Sequence, residues 1–346
     1  MIRVGMNGFG RIGRNYFRAA MSRDDIEIVA INDVSRPQSR IHLLRFDSLR
    51  GRLPQEVRLE ADVLVFEGKR IRMFREMDPA DVPWGSLDVD IVLEATGRLA
   101  DRGPAHLRAG ARRVIISSPA PTADVTVVLG LNEETYDPDR HFVVSNASCT
   151  VNCFGMLIPV LAESFGLRSA LVTNVHAVSR QQGTQDADHH DLRMARAAGF
   201  NIVPQHPSAA AAFTRVMPRF EGLVKDYTLR VPLPIGSLNS IAAHVDRPVT
   251  VEQVNASVKR ASEVGRLSPY LDFIDEPIVS SDIISNPASC VFDAGLTEVT
   301  DRQVQVVGWH DNEWGYANRL LDLTGYIGGI DENGGAVPTA QELLRV

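Results

Sequence analysis

The sequence has 346 residues, a formal net charge of −7, 44% hydrophobic residues and 23% charged residues. This length suits two globular domains, and the negative charge argues against a nucleic acid or an anionic membrane as a partner. With no run of about 18 apolar residues, no signal-peptide pattern and only three cysteines, we expect a cytoplasmic protein without disulfide bonds or membrane contact.

The first half of the chain alternates short apolar strands with helical stretches. A helix is predicted from Arg11 to Met21, and strands are predicted at 2–6, 26–31, 91–93, 114–116 and 125–129. Alternation of strand and helix favours a parallel sheet covered by helices on both faces. We therefore predict an α/β protein whose residues 1–148 form a doubly wound Rossmann nucleotide domain.

Residues 8–13 have the form Gly-x-Gly-x-x-Gly, between the first predicted strand and the first predicted helix. Glycines there let backbone N–H groups approach a pyrophosphate at the helix N-terminus. Asp33, twenty residues later, is suited to bind ribose hydroxyls and would repel a 2′-phosphate, which favours NAD over NADP. The alternative is a glycine turn beside a helix-capping aspartate. The predicted NAD-binding residues of this half are Asn7, Gly8, Phe9, Gly10, Arg11, Ile12, Gly13, Asp33, Thr96 and Ser117.

Cys149 lies between an apolar, strand-like run at 142–144 and a helix-like pattern over 154–161. At the start of a helix, unpaired N–H groups and the positive end of the helix dipole favour a thiolate over a thiol. Cys149 is therefore either an activated nucleophile or a small buried hydrophobic residue, and the local pattern leaves both possibilities open.

Beyond Cys149 the predicted strands, at 169–175, 227–231 and 238–245, are longer and alternate more regularly. This pattern predicts an α+β catalytic domain over 149–311, built on a mainly antiparallel sheet with helices on one face. A polar stretch without periodicity from Ser179 to Arg193 is predicted to be a loop. The segment 312–346 is predicted to contain a helix over 312–323, followed by a tail rich in glycine.

A nicotinamide cofactor together with a nucleophilic cysteine indicates aldehyde oxidation. Addition of a thiolate to an aldehyde makes a thiohemiacetal, from which hydride leaves more readily, and oxidation then gives a thioester. This chemistry needs a base, an oxyanion donor and an acyl acceptor. His176, at the end of a predicted strand, is the candidate base, and a structural histidine is the alternative. Arg196 and Arg230 are candidates for binding phosphate, and surface ion pairs are the alternative.

One cluster of acidic residues and histidines, over 186–191, invites a metal assignment. Adjacent histidines such as His189 and His190 are expected to point in divergent directions, and no matching pair of ligands recurs elsewhere. We therefore predict a solvated loop there and no metal site.

These motifs together resemble the phosphorylating glyceraldehyde-3-phosphate dehydrogenase family. The resemblance covers nearly the whole chain, and its most specific element is Ser-Asn-Ala-Ser-Cys-Thr at 145–150. The other matching segments are 7–13, 42–48, 292–296 and 311–316.

The resemblance implies that Cys149 is the nucleophile and His176 its base. It implies two sites for phosphate groups. The substrate's own phosphate would bind Ser179 and Arg230. The attacking inorganic phosphate would bind Ser148, Thr150 and Arg196.

The resemblance also implies that Asn312 binds the nicotinamide carboxamide, with Tyr316 in the same cofactor-binding segment. It implies a homotetramer in which the loop over about 178–200 lies near a neighbouring subunit's cofactor. The C-terminal helix is implied to pack on the nucleotide domain.

The chain departs from the family at Pro207, where a threonine of the inorganic-phosphate site is usual. Proline has neither a hydroxyl nor an N–H to offer, and Ser208 is the nearest group that could compensate. A second departure, Val151, concerns packing. We therefore expect an altered phosphate site, with phosphate or arsenate as acyl acceptor.

The predicted function is NAD-dependent oxidative phosphorylation of glyceraldehyde 3-phosphate to 1,3-bisphosphoglycerate, by an auxiliary form of the enzyme. Two alternatives stay open. The substrate could be a related phosphorylated or phosphonylated aldehyde such as erythrose 4-phosphate. The chain could also be a non-catalytic family member with a binding role, against which the presence of Cys149, His176, Arg230 and Asn312 argues.

Overall fold

The computed structural model describes residues 1–179, 182–206 and 208–332, and for 331–332 only the backbone. The chain forms two compact units. The first comprises Met1–Val127, Glu133–Ala147 and the described residues from Ala317 onward, and the second comprises Val128–Asn132 and Ser148–Tyr316. Among the described residues, we find no helix with the length and hydropathy needed to span a membrane.

The first unit is built on a nine-stranded sheet with helices between its strands. The strands of this sheet are β1 Ile2–Asn7, β2 Ile26–Asn32, β5 Val57–Glu60, β6 Val63–Phe66, β7 Lys69–Phe74, β8 Ile91–Glu94, β9 Arg113–Ile116, β10 Val125–Thr126 and β11 Val143–Ser145. A separate small hairpin is formed by β3 Phe46–Asp47 and β4 Gly51–Arg52. The first three helices of this unit are α1 Arg11–Ala20, α2 Pro37–Arg45 and α3 Gly103–Arg108. Short 3-10 turns lie at Pro79–Asp81, Trp84–Leu87, Ala100–Arg102 and Glu133–Thr135.

The strand order of this sheet is β10-β11-β9-β8-β1-β2-β7-β6-β5. The strands from β10 to β7 pair in parallel, and only β5, β6 and β7 form an antiparallel meander. Chain order reverses on the two sides of β1, which is the topological switch point where open α/β sheets bind ligands. The predicted doubly wound Rossmann fold is confirmed.

The predicted strand over 125–129 is wrong in length, because β10 ends at Thr126. The N–H of Val128 donates to the side chain of Asn132 at 2.9 Å instead of to a neighbouring strand. Gly130 then adopts a φ of +85°, which turns the chain. The prediction was too long because the apolar residues continue past the end of the strand.

The second unit contains a seven-stranded sheet with the order β13-β14-β12-β15-β18-β17-β16. Its strands are β12 Ser169–Ala177, β13 Val203–Gln205, β14 Val224–Val231, β15 Ser237–His244, β16 Leu271–Ile274, β17 Cys290–Thr300 and β18 Gln303–His310. Its helices are α4 Cys149–Phe165, α5 Ala209–Val216 and α6 Val251–Glu263, with a 3-10 turn at Pro218–Phe220. Four of the six strand pairs are antiparallel, as predicted, and two are parallel.

The last helix, α7, spans Trp314–Glu332 and is longer than the predicted helix over 312–323. It continues through Gly328 because a side chain there would meet Ile2 of β1 at 2.3 Å, so glycine permits close packing. Within the first unit, the hydroxyl of Tyr16 donates to Thr324 at 2.9 Å. The remainder of the predicted glycine-rich tail, 333–346, lies outside the described residues.

Two glycines of the nucleotide loop provide a matched test of local packing. Gly8 has a φ of +99°, and a Cβ there would lie 2.6 Å from the amide nitrogen of Thr96. Gly10 has no other atom within 4 Å of the same position. We expect Gly8→Ser to lower the free energy of unfolding by about 2–4 kcal/mol, because backbone strain and overpacking add. Gly10→Ser should change it by less than about 0.5 kcal/mol. Equal effects in urea denaturation would contradict this account.

Candidate active site

Cys149 is the first residue of α4, and its sulfur therefore lies at the positive end of a 17-residue helix. The side chain of Ser148 caps this helix and accepts a hydrogen bond from the N–H of Val151 at 3.3 Å. Ala147, one residue earlier, has a φ of +53°, which is unusual for a residue with a Cβ. Backbone strain of this kind is common beside reactive groups, because the fold must hold them in one orientation.

Cys149 lies beside His176, the penultimate residue of β12. The distance between Cys149 Sγ and His176 Nε2 is 3.5 Å. Burial by itself raises the pKa of the Cys149 thiol, but the neighbouring His176 and His310 outweigh it and hold this pKa well below its ordinary range. These neighbours therefore favour the thiolate, which is the form that attacks an aldehyde.

The other ring nitrogen of His176 faces the protein interior. Nδ1 lies 2.7 Å from the carbonyl oxygen of Ala177, which can only accept and therefore favours an N–H on Nδ1. Arg230 Nη1 donates to the same carbonyl at 3.0 Å and also lies against Nδ1, where a donor favours the opposite tautomer, with the N–H on Nε2. Burial lowers the pKa of His176, and the nearby Arg230 and His310 lower it further, although Cys149 opposes them. A neutral imidazole can act as a base at Nε2 in the first tautomer, and in the second its Nε2–H donates to the thiolate of Cys149.

His310, the last residue of β18, is a site residue that the sequence analysis missed. It is 2% exposed, and one of its ring nitrogens lies within 4.8 Å of both Cys149 Sγ and a ring nitrogen of His176. Burial disfavours its imidazolium, but the sulfur atoms of Cys153 and Cys149 outweigh burial and raise the pKa of His310 to about 10. Its position directly before the matching segment 311–316 was the available signal.

The residues predicted to bind the substrate's phosphate lie next to this group. Arg230 Nε donates to Gln205 Oε1 at 2.9 Å, so the guanidinium is held between Gln205 and Ala177. The hydroxyl of Ser179 is buried and has no hydrogen-bond partner among the described residues. A cation and an unsatisfied hydroxyl suit a phosphate oxygen.

The residues predicted to bind inorganic phosphate are not all brought together. Thr150 is buried, and its hydroxyl accepts a hydrogen bond from Asn174 at 3.0 Å. Arg196 is exposed and pairs with the exposed Asp186 at 3.3 Å, and no contact given for the described residues joins it to Cys149. Ser208 is exposed at the start of α5, and Pro207 lies outside the described residues.

Asn312 lies two residues after the end of β18, and its side-chain oxygen already accepts hydrogen bonds within the protein. Gly236 N and Ser237 Oγ each donate to Asn312 Oδ1 at 3.2 Å. The amide nitrogen of Asn312 is thereby oriented as the group that can donate to a ligand. Tyr316 is buried and, with Cys149, lines a small internal space.

In the first unit, the carboxylate of Asp33 accepts hydrogen bonds from the N–H groups of Phe9, at 2.8 Å, and Ser35, at 2.9 Å. Arg40 Nη2 lies 3.0 Å from the same carboxylate. Burial raises the pKa of Asp33, but these hydrogen bonds and the charge of Arg40 outweigh burial, so the pKa is lowered. An ionised carboxylate is thus held next to the glycine loop, where a ribose hydroxyl could donate to it.

The glycine loop itself is shaped for close approach of a ligand. A Cβ on Gly13 would lie 2.3 Å from the carbonyl oxygen of Gly8, so α1 can pack this tightly only with glycine. No acidic side chain lies in the first turn of α1, and its N-cap, Gly10, provides no side-chain cap. The N–H groups at a helix N-terminus suit a pyrophosphate. Ile12 is half-buried in this turn, and Arg11 pairs with Asp47.

A buried polar network that was not predicted supports this loop. Asn7 Nδ2 donates to Glu94, and Asn32 Nδ2 donates to Asn7 Oδ1 at 2.7 Å. Glu94 also accepts hydrogen bonds from the N–H and hydroxyl of Thr96. The hydroxyl of Thr96 is therefore used within the protein. Ser117, at the end of β9, is held by its N–H, which donates to the carbonyl of Glu94 at 3.0 Å.

The loop over 186–191 corrects one expectation. The rings of His189 and His190 do not diverge but stack, with centroids 4.3 Å apart. His189 Nδ1 is used locally, at 3.0 Å from the N–H of Asp191. Within the described ranges, this loop does not form a group of three ligands that could hold a metal ion.

Comparison with known proteins identifies the family. Residues 2–102 match the family model described as glyceraldehyde 3-phosphate dehydrogenase, NAD binding domain, and residues 148–312 match the C-terminal domain of the same enzyme. The chain is 49% identical over 331 residues to glyceraldehyde-3-phosphate dehydrogenase 2 of Streptomyces avermitilis, covering 94% of this chain and 98% of the relative. The chain belongs to the glyceraldehyde-3-phosphate dehydrogenase family.

Other relatives from this family have similar coverage. The glyceraldehyde-3-phosphate dehydrogenases of Mycobacterium avium and Streptomyces coelicolor are 48% identical over 336 residues and 47% identical over 331 residues. Each comparison covers 94% of this chain and 98% of the relative. The predicted family resemblance is confirmed.

The lowered pKa of Cys149 predicts selective alkylation. Iodoacetamide should label Cys149 at pH 7 and leave Cys153 and Cys290 unlabelled, because both are fully buried. An ordinary thiol, with a pKa of about 8.5, loses about tenfold in rate per pH unit below that value. Because the pKa of Cys149 is lowered, its labelling rate should begin to fall at a lower pH than the rate of an ordinary thiol. Peptide mass spectrometry measures this, and a tenfold loss between pH 8 and pH 7 would contradict it.

Proposed function

We propose that this protein oxidises glyceraldehyde 3-phosphate to 1,3-bisphosphoglycerate with NAD and inorganic phosphate. The observation that supports this most strongly is the 3.5 Å approach of Cys149 Sγ to His176 Nε2 at a helix N-terminus, in a member of this family. Cys149 is assigned as nucleophile and His176 as base. Residues 1–148 are assigned to NAD binding, 149–311 to catalysis, and 312–346 to the C-terminal helix and tail.

The cofactor site is assigned to the glycine loop over 8–13, with Asp33 for ribose hydroxyls and Asn312 for the carboxamide. The positive φ of Gly8 and the tight packing of Gly13 fit a pyrophosphate cradle, because any larger side chain would obstruct it. When bound, NAD supplies the acceptor for hydride. The negative charge of Asp33 disfavours a 2′-phosphate.

The chemistry assigned to this chain's residues has four steps. Cys149 Sγ forms a bond to the aldehyde carbon, and the carbonyl electron pair moves to oxygen, which takes a proton from water. As hydride leaves the carbon, His176 Nε2 takes the hydroxyl proton, and the thiohemiacetal becomes a thioester. A phosphate oxygen then attacks the acyl carbon. The C–S bond breaks, and the Cys149 thiolate is restored as the acyl phosphate leaves.

The direct test follows NADH absorbance with glyceraldehyde 3-phosphate, with and without inorganic phosphate, and traps the acyl phosphate with hydroxylamine. We expect multiple turnovers and a hydroxamate only when phosphate is present. Formation of the free acid without phosphate would contradict the phosphorylating reaction. A higher kcat/KM for erythrose 4-phosphate or a phosphonate-bearing aldehyde would favour the alternative substrates, and no turnover would favour a binding role.

We also propose that the inorganic-phosphate site is altered near the N-terminus of α5. The N–H groups of Ser208, Ala209 and Ala210 donate to the carboxylate of Asp226 at 3.2, 3.2 and 2.9 Å. Such N–H groups are what an anion uses at a helix N-terminus. Here a carboxylate of the protein occupies them, and its charge repels phosphate.

Replacing this carboxylate gives a prediction with a matched control. Asp226→Ala should lower the KM for phosphate by about two- to fivefold, which corresponds to 0.3–1 kcal/mol of electrostatics at a helix terminus. The KM for the aldehyde should stay unchanged. The control is Asp246→Ala, which removes an exposed acid paired with Arg168 and should alter neither KM. An unchanged or higher phosphate KM in Asp226→Ala would contradict an altered site.

The proposed assembly is a homotetramer, as the family resemblance implies, with a small phosphorylated aldehyde and phosphate or arsenate as ligands. A cytoplasmic location is proposed because the three cysteines, Cys149, Cys153 and Cys290, are free thiols. Light scattering of the purified protein would test the tetramer.

A further inference from the structure

The side chains of Cys149, His176 and His310 come from separate elements and lie close together. Cys149 begins α4, His176 lies near the end of β12, and His310 ends β18. One donor atom of each lies within 4.8 Å of the others. A thiolate and two imidazoles form the type of donor set that Zn²⁺ prefers in proteins.

The distances suit a tetrahedral ion. With Zn–S near 2.3 Å and Zn–N near 2.0–2.1 Å, a sulfur and a nitrogen on one tetrahedral ion lie about 3.6 Å apart. The distance between Cys149 Sγ and His176 Nε2 is 3.5 Å. Cys149 Sγ and His176 Nε2 therefore need almost no movement to bind one ion.

The second ring nitrogen of His176 is already placed as it is in zinc sites. Nδ1 lies 2.7 Å from the carbonyl oxygen of Ala177, and a ligating histidine usually donates its other N–H to such a group. In the tautomer with its N–H on Nδ1, Nε2 presents its lone pair to an ion beside Cys149 Sγ, and Arg230 Nη1, which lies against Nδ1, must then move aside.

His310 provides the independent observation. It is 2% exposed, yet neither ring nitrogen has a hydrogen-bond partner among the described residues. A buried imidazole without partners is costly, and a metal ion would satisfy it.

We propose that Cys149, His176 and His310 form a three-ligand site for Zn²⁺, with the fourth position open to water. This site was not expected from the sequence, because its ligands are far apart in the chain. Bound Zn²⁺ ties up the Cys149 sulfur, so it inhibits attack on the aldehyde reversibly and protects the thiol from alkylation. The binding itself does not depend on which aldehyde is the substrate.

The experiment uses Co²⁺ as a spectroscopic probe on the full-length, metal-free protein. One Co²⁺ per chain should produce the near-ultraviolet band of a cobalt–thiolate bond and the intense visible bands of four-coordinate cobalt. Added Zn²⁺ should remove both. Zn²⁺ should also slow iodoacetamide labelling of Cys149, and EDTA should restore it.

Variants identify the ligands. His310→Phe should weaken Zn²⁺ binding at least about 100-fold, more than loss of an outer-shell partner would. Cys149→Ala should abolish the near-ultraviolet band, and His176→Asn should weaken binding as His310→Phe does. The matched control is His190→Phe, which alters an exposed histidine outside the cluster and should bind like the native protein.

Three outcomes would overturn the proposal: a stoichiometric cobalt spectrum that persists in Cys149→Ala, weak bands of octahedral cobalt, or unchanged affinity in both His310→Phe and His176→Asn. If His310→Phe does not fold, His176→Asn alone decides the question. Because metal binding is read without substrate, failure here leaves the dehydrogenase assay unaffected.

Discussion

Replacing Cys149 with alanine is expected to reduce turnover of glyceraldehyde 3-phosphate by at least about 10⁴-fold, the scale on which removal of a covalent nucleophile acts. The reason is that neither His176 nor His310 can replace a thiolate that must first bond to the aldehyde carbon. In single-turnover experiments, the burst of NADH that accompanies thioester formation should disappear. The measurement is NADH absorbance after rapid mixing.

The control is Cys153→Ala, which removes a buried sulfur one helical turn away on α4. This variant should retain the burst, because the thiol of Cys153 faces the carbonyl oxygens of Gly308, at 3.4 Å, and Trp309, at 3.8 Å. A burst of NADH that survives in Cys149→Ala would show that another residue forms the covalent acyl intermediate.

Replacing His176 with asparagine is expected to lower kcat by about 10²–10⁴-fold, the usual contribution of a positioned general base. The pH profile provides a second readout. Because burial and nearby cations lower the pKa of His176, its base form persists below the usual range, and activity should fall only as pH drops through this lowered pKa. In His176→Asn this limb should be replaced by one that reports protonation of the Cys149 thiol alone, so the profile changes. A structural role would instead lower kcat without changing the profile.

The matched control is His244→Asn, at the end of β15 and outside the site. It should retain the native kcat and the native pH profile. A loss of activity in both variants would indicate damage to the sheet rather than removal of a base. Labelling of Cys149 at pH 7 should remain measurable in His176→Asn, because the helix N-terminus and His310 still favour the thiolate.

Much of the fold could be predicted because local pattern and tertiary structure agree. The strands β1, β2, β8 and β9 are short, apolar and buried, and α1 follows a glycine turn, so their bounds were predicted within one or two residues. The errors occurred where apolar runs do not stop with the element. The run 125–129 leaves the sheet after Thr126, and α7 continues through Gly328 because close packing on Ile2 favours glycine.

In the candidate site too, some residues could be predicted from the sequence and others could not. Cys149, His176 and the glycine loop follow from residue type and from position at the end of a strand or the start of a helix. His310 was missed although it directly precedes the matching segment 311–316, because the sequence does not show that the pairing of β15 with β18 brings the end of β18 to this sheet position. The capping of α5 by Asp226 was likewise hidden, since 16 or more residues separate that carboxylate from the N–H groups it accepts.

The sequence by itself determined the family, the Rossmann fold, the nucleotide loop and the identity of the nucleophile, because each depends on residue type within a short segment. Tertiary structure alone decided the surroundings of Cys149. A pKa and a set of metal ligands depend on charges and lone pairs within a few ångströms, and here these come from strands more than 130 residues apart, His176 on β12 and His310 on β18. Periodicity and spacing carry no information about such distances.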